Sequence, residues 1–224
     1  QTRVLPATGD QETIHRVYLD RIVKFLLWQI GGWKITVCGP AELAQHIASV
    51  YHPQGARAFD VRLMESVYDR TFTVESRPFT DAPAPRESSV ALGGHLDGCR
   101  IGFDLGASDY KLAAVQNGEP VFTTEIPWDP KNEPDPAFHY RKIQEGLQLA
   151  ARSLPRVDAI GGSSAGIYID NQVKVASLFR AVPPDKFAAQ VKPLFLNLAK
   201  EWGVPLEVAN DGEVTALAGA MSLR

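Results

Sequence analysis

The sequence predicts an α/β protein: a mixed β-sheet body preceded by a small α/β appendage. Three observations predict it. From Arg100 onward, three apolar strand patterns joined by tight turns are followed by helix, strand, helix, strand and helix patterns. The N-terminal part reads as helix, strand and helix with a different periodicity. Between them, Ser76 to Gly98 carries Pro78, Pro83, Pro85, Ser88-Ser89 and Gly93-Gly94, the composition of a linker. Residues 1–98 are therefore read as appendage and linker, and residues 99–224 as the second domain.

In chain order, Thr8 to Ile30 reads as a helix with Ile14, Val17, Tyr18, Ile22, Phe25, Leu26 and Ile30 on its inner face and Arg16, Asp20 and Lys24 opposite. Gly31-Gly32 stops it. Trp33 to Cys38 is a short strand, and Gly39-Pro40 opens a helix from Ala41 to Tyr51. Asp60 to Tyr68 reads as helix and Arg70 to Glu75 as strand. Ile101 to Leu105, Tyr110 to Gln116 and Pro120 to Ile126 are the three strands, the last two joined at Asn117-Gly118. Asp135 caps a helix from Pro136 to Ser153. Val157 to Ile160 is a strand that runs into the small-residue stretch Gly161 to Gly166. Ile167 to Asp170 and Val173 to Ala176 flank an Asp170-Asn171 turn. Asp185 caps a helix reaching Trp202, with Phe187, Val191, Leu194, Phe195, Leu198 and Trp202 inward. Val204 to Ala209 is the last strand and Gly212 to Leu223 the last helix.

Bulk properties narrow the function. The chain has 224 residues, 45% hydrophobic and 22% charged, the balance of an ordinary soluble globular protein. A formal charge of −3 supplies no basic field for nonspecific nucleic-acid binding, so no nucleic-acid partner is expected. The longest apolar run, Ile22 to Ile30, falls short of the roughly 20 residues that cross a bilayer, so no membrane partner is expected either. Cys38 and Cys99 form no CxxC pair or disulfide framework, which fits a reduced cytoplasmic setting. His15, His46, His52, His95 and His139 are scattered without metal-ligand spacing, so no structural metal is expected. Gln1 in place of Met reads as a processed or excised piece.

Two carboxylates carry the chemistry. Asp104 ends an apolar strand before a Gly106–Ser108 turn, where backbone amides and the Ser108 hydroxyl can meet phosphate oxygens and the acid a cation. The plain alternative is a tight turn. Asp211, at the end of the last strand, is the candidate general base toward an attacking hydroxyl, with Asn210 beside it. The alternative for Asn210-Asp211-Gly212 is an N-cap. Gly161 to Gly166 lacks a Walker lysine and does not read as a P-loop. Gly162-Ser163-Ser164-Ala165-Gly166 matches the spacing of a nucleophile elbow, but a strand pattern follows where the elbow requires a helix.

Three motifs in order, Gly102-Phe-Asp104-Leu-Gly106-Ala-Ser108-Asp-Tyr-Lys111, Ile160-Gly-Gly-Ser-Ser-Ala-Gly166-Ile and Val204-Pro-Leu-Glu-Val-Ala-Asn210-Asp211-Gly-Glu-Val-Thr-Ala-Leu-Ala-Gly219, resemble the first lobe of the ROK family of sugar kinases and repressors. The resemblance covers about Arg100 to Leu223. It implies a ribonuclease H-like mixed-sheet lobe of the actin/Hsp70/sugar-kinase fold, and a carbohydrate kinase using ATP and Mg2+ on a small-molecule sugar. Asp104, Gly106 and Ser108 would match the phosphate- and magnesium-contacting hairpin and Asp211 the catalytic base. Ser164, Gly166 and Asn210 would face the sugar. Interfaces are common in that fold, so a homo-oligomer is compatible with it.

The sequence also departs from the family pattern. Gly106-Ala107-Ser108 replaces Gly-Gly-Thr, Ser164-Ala165-Gly166 replaces Gly-Pro-Gly, Ser177-Leu178 stands near the usual Asn-Leu pair, and Asn210-Asp211-Gly212-Glu213 replaces Asn-Asp-Ala-Asn. The second lobe, with its adenosine site and the zinc-binding cysteines of many members, has no counterpart in these residues, so the chain reads as the first lobe only. A non-catalytic sugar sensor or scaffold of the same fold is the competing reading. No basic recognition helix accompanies Thr8 to Ile30, which speaks against a helix-turn-helix repressor.

Overall fold

A computed structural model describes residues 12–84, 86 and 95–222. The expected helix start at Thr8, most of the Pro85 to Gly94 stretch of the linker and the helix end at Leu223 lie outside these residues. Chain contacts divide the molecule into two units, Gln1–Ser89 and Val90–Arg224. Among the described residues no helix is long and apolar enough to cross a membrane.

The first unit consists of α1 (Glu12–Ile30), β1 (Lys34–Cys38), α2 (Ala41–Val50), α3 (Ala58–Tyr68) and β2 (Thr73–Arg77). β1 and β2 pair in parallel, Lys34 opposite Thr73 through Cys38 opposite Arg77. The strand expected at Arg70 to Glu75 therefore starts later and runs into the expected linker, which also holds a 3-10 turn at Phe79–Asp81. The core gathers Leu27, Ile47, Tyr51, Val61 and Met64, with Leu19 and Val23 packed on it.

Helix α1 corrects the expected inner face. Ile14, Val17, Phe25 and Ile30 are exposed, whereas Leu19, Val23 and Leu27 point inward. Polar contacts decide the rotation. Asp60, 2% exposed, accepts from Lys24 Nζ and Trp28 Nε1, and Asp20 takes a two-point bond from Arg57. A buried carboxylate must be paired or it destabilises the fold strongly, and that requirement outweighs the transfer energy of a few exposed aliphatic groups.

In the second unit, β3 (Cys99–Leu105), β4 (Asp109–Gln116) and β5 (Glu119–Pro127) form an antiparallel meander. Asn117 and Gly118 both have positive φ, 52° and 87°, as a two-residue turn of that hand requires. α4 (Pro136–Ala151) then returns the chain to β6 (Ala159–Ser164), which lies parallel to β3. Asp135 caps α4 by accepting from Ala137 N, as expected. The hairpin of β7 (Ile167–Ile169) and β8 (Gln172–Val175), the short α5 (Pro184–Lys186) and α6 (Leu194–Trp202) lead to β9 (Leu206–Asn210), parallel to β6. α7 (Asp211–Ser222) closes the unit. The sheet order β5-β4-β3-β6-β9 gives the mixed five-stranded α/β sheet that the sequence predicts.

Two elements differ from expectation. The helix expected from Asp185 to Trp202 is interrupted: a π-turn occupies Phe187–Val191, and α6 begins only after Pro193. Proline at 193 has no amide hydrogen to give to the preceding turn and its ring crowds it. The inward face survives the break, with Val191, Leu194, Phe195 and Leu198 buried. The second difference is the small-residue stretch, which is mostly strand. β6 continues through Gly161, Gly162, Ser163 and Ser164, paired on both sides. Gly162 is required there because an added Cβ would lie 2.1 Å from the Phe103 ring.

Strand alternation gives the sheet two unlike faces. Ile101, Phe103, Leu105, Leu112 and Ala114 point into the core with Ile143, Leu147, Phe195 and Leu198. Gly102, Asp104, Lys111, Ala113, Thr123 and Glu125 line a concavity of about 590 Å³ on the other face.

Candidate functional site

The parallel strands β3, β6 and β9 end side by side. Leu105 is opposite Ser164, and Ser164 opposite Asn210, so Asp104 and Asp211 sit one residue before and one after the same transverse line. Two strand spacings, roughly 10 Å, separate β3 from β9. The carboxyl ends of parallel strands are where α/β sheets form their ligand crevices.

Asp104 is half-buried on the concave face. Its Oδ1 accepts from Ser163 Oγ at 2.6 Å, directly across the β3–β6 pair. Lys111, opposite Asp104 on β4, is held above its ordinary pKa by Asp109 first, with Glu125 and Asp104 adding. Asp104 thus has a hydroxyl to orient it and a cation nearby, and its second oxygen accepts no hydrogen bond from the described residues.

The turn after Asp104 is built from its own groups. Gly106 N donates to Asp109 O, Ser108 Oγ donates to Asp109 Oδ2, and the Trp128 indole donates to Gly106 O at 2.9 Å. The Gly106 amide is thereby engaged inside the turn. Among the described residues, the Ala107 and Ser108 amides donate to no protein acceptor, so these two are the donors left for an anion. Gly106 tolerates no side chain, since a Cβ would lie 2.7 Å from Asp109 O. Gly106→Ala should open the turn and cost about 1–3 kcal/mol, the range for overpacking. Urea unfolding followed by tryptophan emission measures it, and an unchanged midpoint would show the turn to be adaptable.

Ser164 is fully buried and donates to Leu105 O, which ties β6 to β3. That burial leaves it no surface to offer a substrate. Gly166 has φ 153° and passes so close to β8 that a Cβ would meet Val175 O at 2.6 Å. Its carbonyl accepts from Asn210 Nδ2 at 2.8 Å, while Asn210 Oδ1 accepts from Gly212 N at 2.9 Å. Asn210 therefore joins the β6–β7 turn to the first turn of α7, and one amide hydrogen of its side chain remains for a ligand. Asp211 is exposed at the start of α7, where the helix dipole favours a carboxylate. The elbow reading of Gly162 to Gly166 fails as expected, because β7 follows.

Two residues of this region carried no sequence signal of a role here. Tyr168 is largely buried against Phe195, and its hydroxyl lies beside Ser164 without an aligned hydrogen bond. Burial pushes its pKa up to about 12, with Ser164 opposing and the Asp211 carboxylate adding. Asn171, read as turn, also acts as a strand surrogate. Its side chain donates to Leu206 O at 2.7 Å and accepts from Val208 N at 2.8 Å, which pairs the outer edge of β9. Its φ of 59° suits asparagine better than most residues. Asn171→Ala should lower stability by about 2 kcal/mol, because two partly buried backbone groups lose their partner. Chemical denaturation reads the change, and a loss below a few tenths would mean that solvent replaces the amide.

No family model matches the chain, and no curated protein matches it. Solved structures do. A ROK hexokinase from Thermus thermophilus is 18% identical over 50% of this chain and 34% of its own, with a TM-score of 0.37. An inorganic polyphosphate/ATP-glucomannokinase from Arthrobacter sp. strain KM is 22% identical over 51% and 45%, with a TM-score of 0.39. A ROK family transcriptional regulator, a homolog of the E. coli MLC protein, is 19% identical over 94% and 49%, with a TM-score of 0.44. The chain thus spans between a third and a half of the length of these structures. The sheet expected from the sequence is present, and the solved structures similar to the chain include ROK-family kinases and a ROK-family regulator.

Proposed function

We propose that this chain supplies the phosphate- and acceptor-holding lobe of an ATP-dependent sugar kinase of the ROK type. The observation that carries the reading is the register of β3, β6 and β9, which delivers Asp104 and Asp211 to one end of one sheet. In this reading, the Ala107 and Ser108 amides hold phosphate oxygens, and Asp211 accepts the proton of an attacking sugar hydroxyl. Asn210 offers its remaining amide hydrogen to the same sugar.

The donor set suits magnesium. Mg2+ keeps most of its waters and takes one or two carboxylates beside substrate phosphates. Asp104, oriented by Ser163, is such a carboxylate. Among the described residues no group of three or more His, Cys, Asp or Glu side chains forms a protein cage for a metal. When bound, ATP supplies the transferable phosphoryl group and Mg2+ neutralises its charge.

A second reading, a sugar sensor or scaffold without turnover, has a specific observation in its favour. Ser164 and most of the Asn210 side chain, expected to face the sugar, are engaged in internal hydrogen bonds. Calorimetry of the complete protein against hexoses, amino sugars and ATP–Mg, paired with a phosphorylation assay, separates the two. Binding of both ligands with turnover supports the kinase. Sugar binding without phosphorylation supports the sensor, and binding of neither overturns both.

A further inference from the structure

We infer that Trp128 is the positioning residue of the turn after Asp104: its indole aims the backbone amides of that turn at the phosphate chain. The inference rests on the proposed phosphate-holding role of the turn and assigns the side chain that sets its geometry.

Trp128 follows directly on the last residue of β5 and is buried. It holds the turn at two points. Its backbone N donates to Ser108 O at 3.0 Å, and its indole Nε1 donates to Gly106 O at 2.9 Å. The first bond continues the β4–β5 ladder past the Asp109–Pro127 pair, and any residue with an amide hydrogen would make it. The second depends on the indole, which is a donor and nothing else.

The direction of the amides follows from peptide geometry. Gly106 C=O and Ala107 N–H belong to one planar trans peptide unit, so they point opposite ways. With the oxygen tied to a buried indole, the Ala107 amide is directed away from it. The Ser108 oxygen is tied to the same residue, so the carbonyls on either side of the Ala107–Ser108 peptide are both engaged. Loss of the indole bond frees the Gly106–Ala107 peptide to rotate, and glycine offers little steric resistance to that.

The indole is itself braced on α4. It makes T-shaped contacts with Tyr110 at 5.0 Å and His139 at 6.3 Å. The Tyr110 hydroxyl donates to Lys142 O at 2.9 Å. His139 is fully buried, with Nε2 2.9 Å from Pro130 O and Nδ1 3.2 Å from Asp135 O. Donors fixed in advance in this way need little reorganisation when an anion arrives.

The test is calorimetric titration of the complete protein with ATP–Mg. Trp128→Phe keeps an aromatic ring against Tyr110 and His139 and removes the indole donor. It should weaken ATP–Mg binding by about fivefold or more, within the range that one lost hydrogen bond produces. Tyr110→Phe is the control. It also removes one aromatic donor from a main-chain carbonyl in the same cluster, but that carbonyl lies in α4. Its affinity for ATP–Mg should change by less than about twofold, at a comparable fall in denaturant midpoint. A further measurement does not depend on the folding of a variant. In the unmodified protein, ATP–Mg should shift the indole N–H resonance of Trp128, assigned through Gly106 and Tyr110, and leave those of Trp28, Trp33 and Trp202 in place. Unchanged affinity in Trp128→Phe, equal weakening in both variants, or an unmoved Trp128 resonance while ATP–Mg binds would overturn this inference and leave the kinase reading standing. Absence of ATP–Mg binding by the unmodified protein would overturn both.

Discussion

Asp211→Asn should lower sugar phosphorylation by the complete protein at least a hundredfold while ATP binding persists. A positioned general base contributes typically 10²–10⁴-fold, and an amide of the same shape cannot accept the proton. The substitution is unusually clean here. The cap of α7 does not depend on the carboxylate, because Gly212 N also bonds Asn210 Oδ1, and Thr215 Oγ1 donates to the main-chain oxygen of residue 211. The loss in stability should stay below about 1 kcal/mol, the size of a helix-dipole contribution from an exposed acid. Asn210→Ala is the instructive comparison. It unfastens the β6–β7 turn from α7, so it should reduce stability as well as activity. Unchanged turnover in Asp211→Asn would remove this acid from the mechanism and leave the sensor reading in its place.

The largest effect on folding is expected at Gly162, and its neighbour should behave in the opposite way. Gly161 and Gly162 are consecutive in β6, yet they face opposite sides of the sheet. An added Cβ at 162 would lie 2.1 Å from the Phe103 ring, which is 5% exposed and stacked on Phe195 at 6.1 Å. The ring is enclosed in the core, so giving way means displacing its packed neighbours. Gly162→Ala should therefore destabilise the chain by about 3 kcal/mol, the upper part of the range for overpacked cores. At 161 nothing lies within 4 Å of an added Cβ. Gly161→Ala should be neutral or stabilising by about 0.5–1 kcal/mol, since alanine loses less backbone entropy in a strand. The double substitution Gly162→Ala with Phe103→Leu should recover part of the loss, as contacting residues are not additive. Denaturant midpoints for the four chains decide it. Equal costs at 161 and 162 would contradict the assignment of the two faces.

Interactions that act over a few residues are legible in this sequence, and those between distant residues are not. Asn117-Gly118 specified its turn, Asp135 capped α4, and the inward residues of the α6 region were recovered even though Pro193 broke the helix. Each of these is local. The buried face of α1 departs from its apolar periodicity because its rotation depends on Asp60 and Arg57, more than thirty residues away in sequence. The sequence marks Gly161 to Gly166 only as a small-residue stretch at a strand end. The reason for glycine at 162 is an aromatic ring on a neighbouring strand.

The same division runs through the candidate site. The sequence by itself determined the order of elements, the strand-end positions of Asp104 and Asp211, and the departures around Ser164 and Asn210, because apolar periodicity and turn chemistry act over a few residues. Only the tertiary structure decided which of those groups remain open to a ligand. Ser163 orients Asp104, Ser164 is sealed against Leu105, Asn210 bridges Gly166 and Gly212, and Asn171 pairs the edge of β9. Hydrogen bonds of that kind join residues far apart in the chain, and their existence depends on strand register, which no short stretch of sequence encodes.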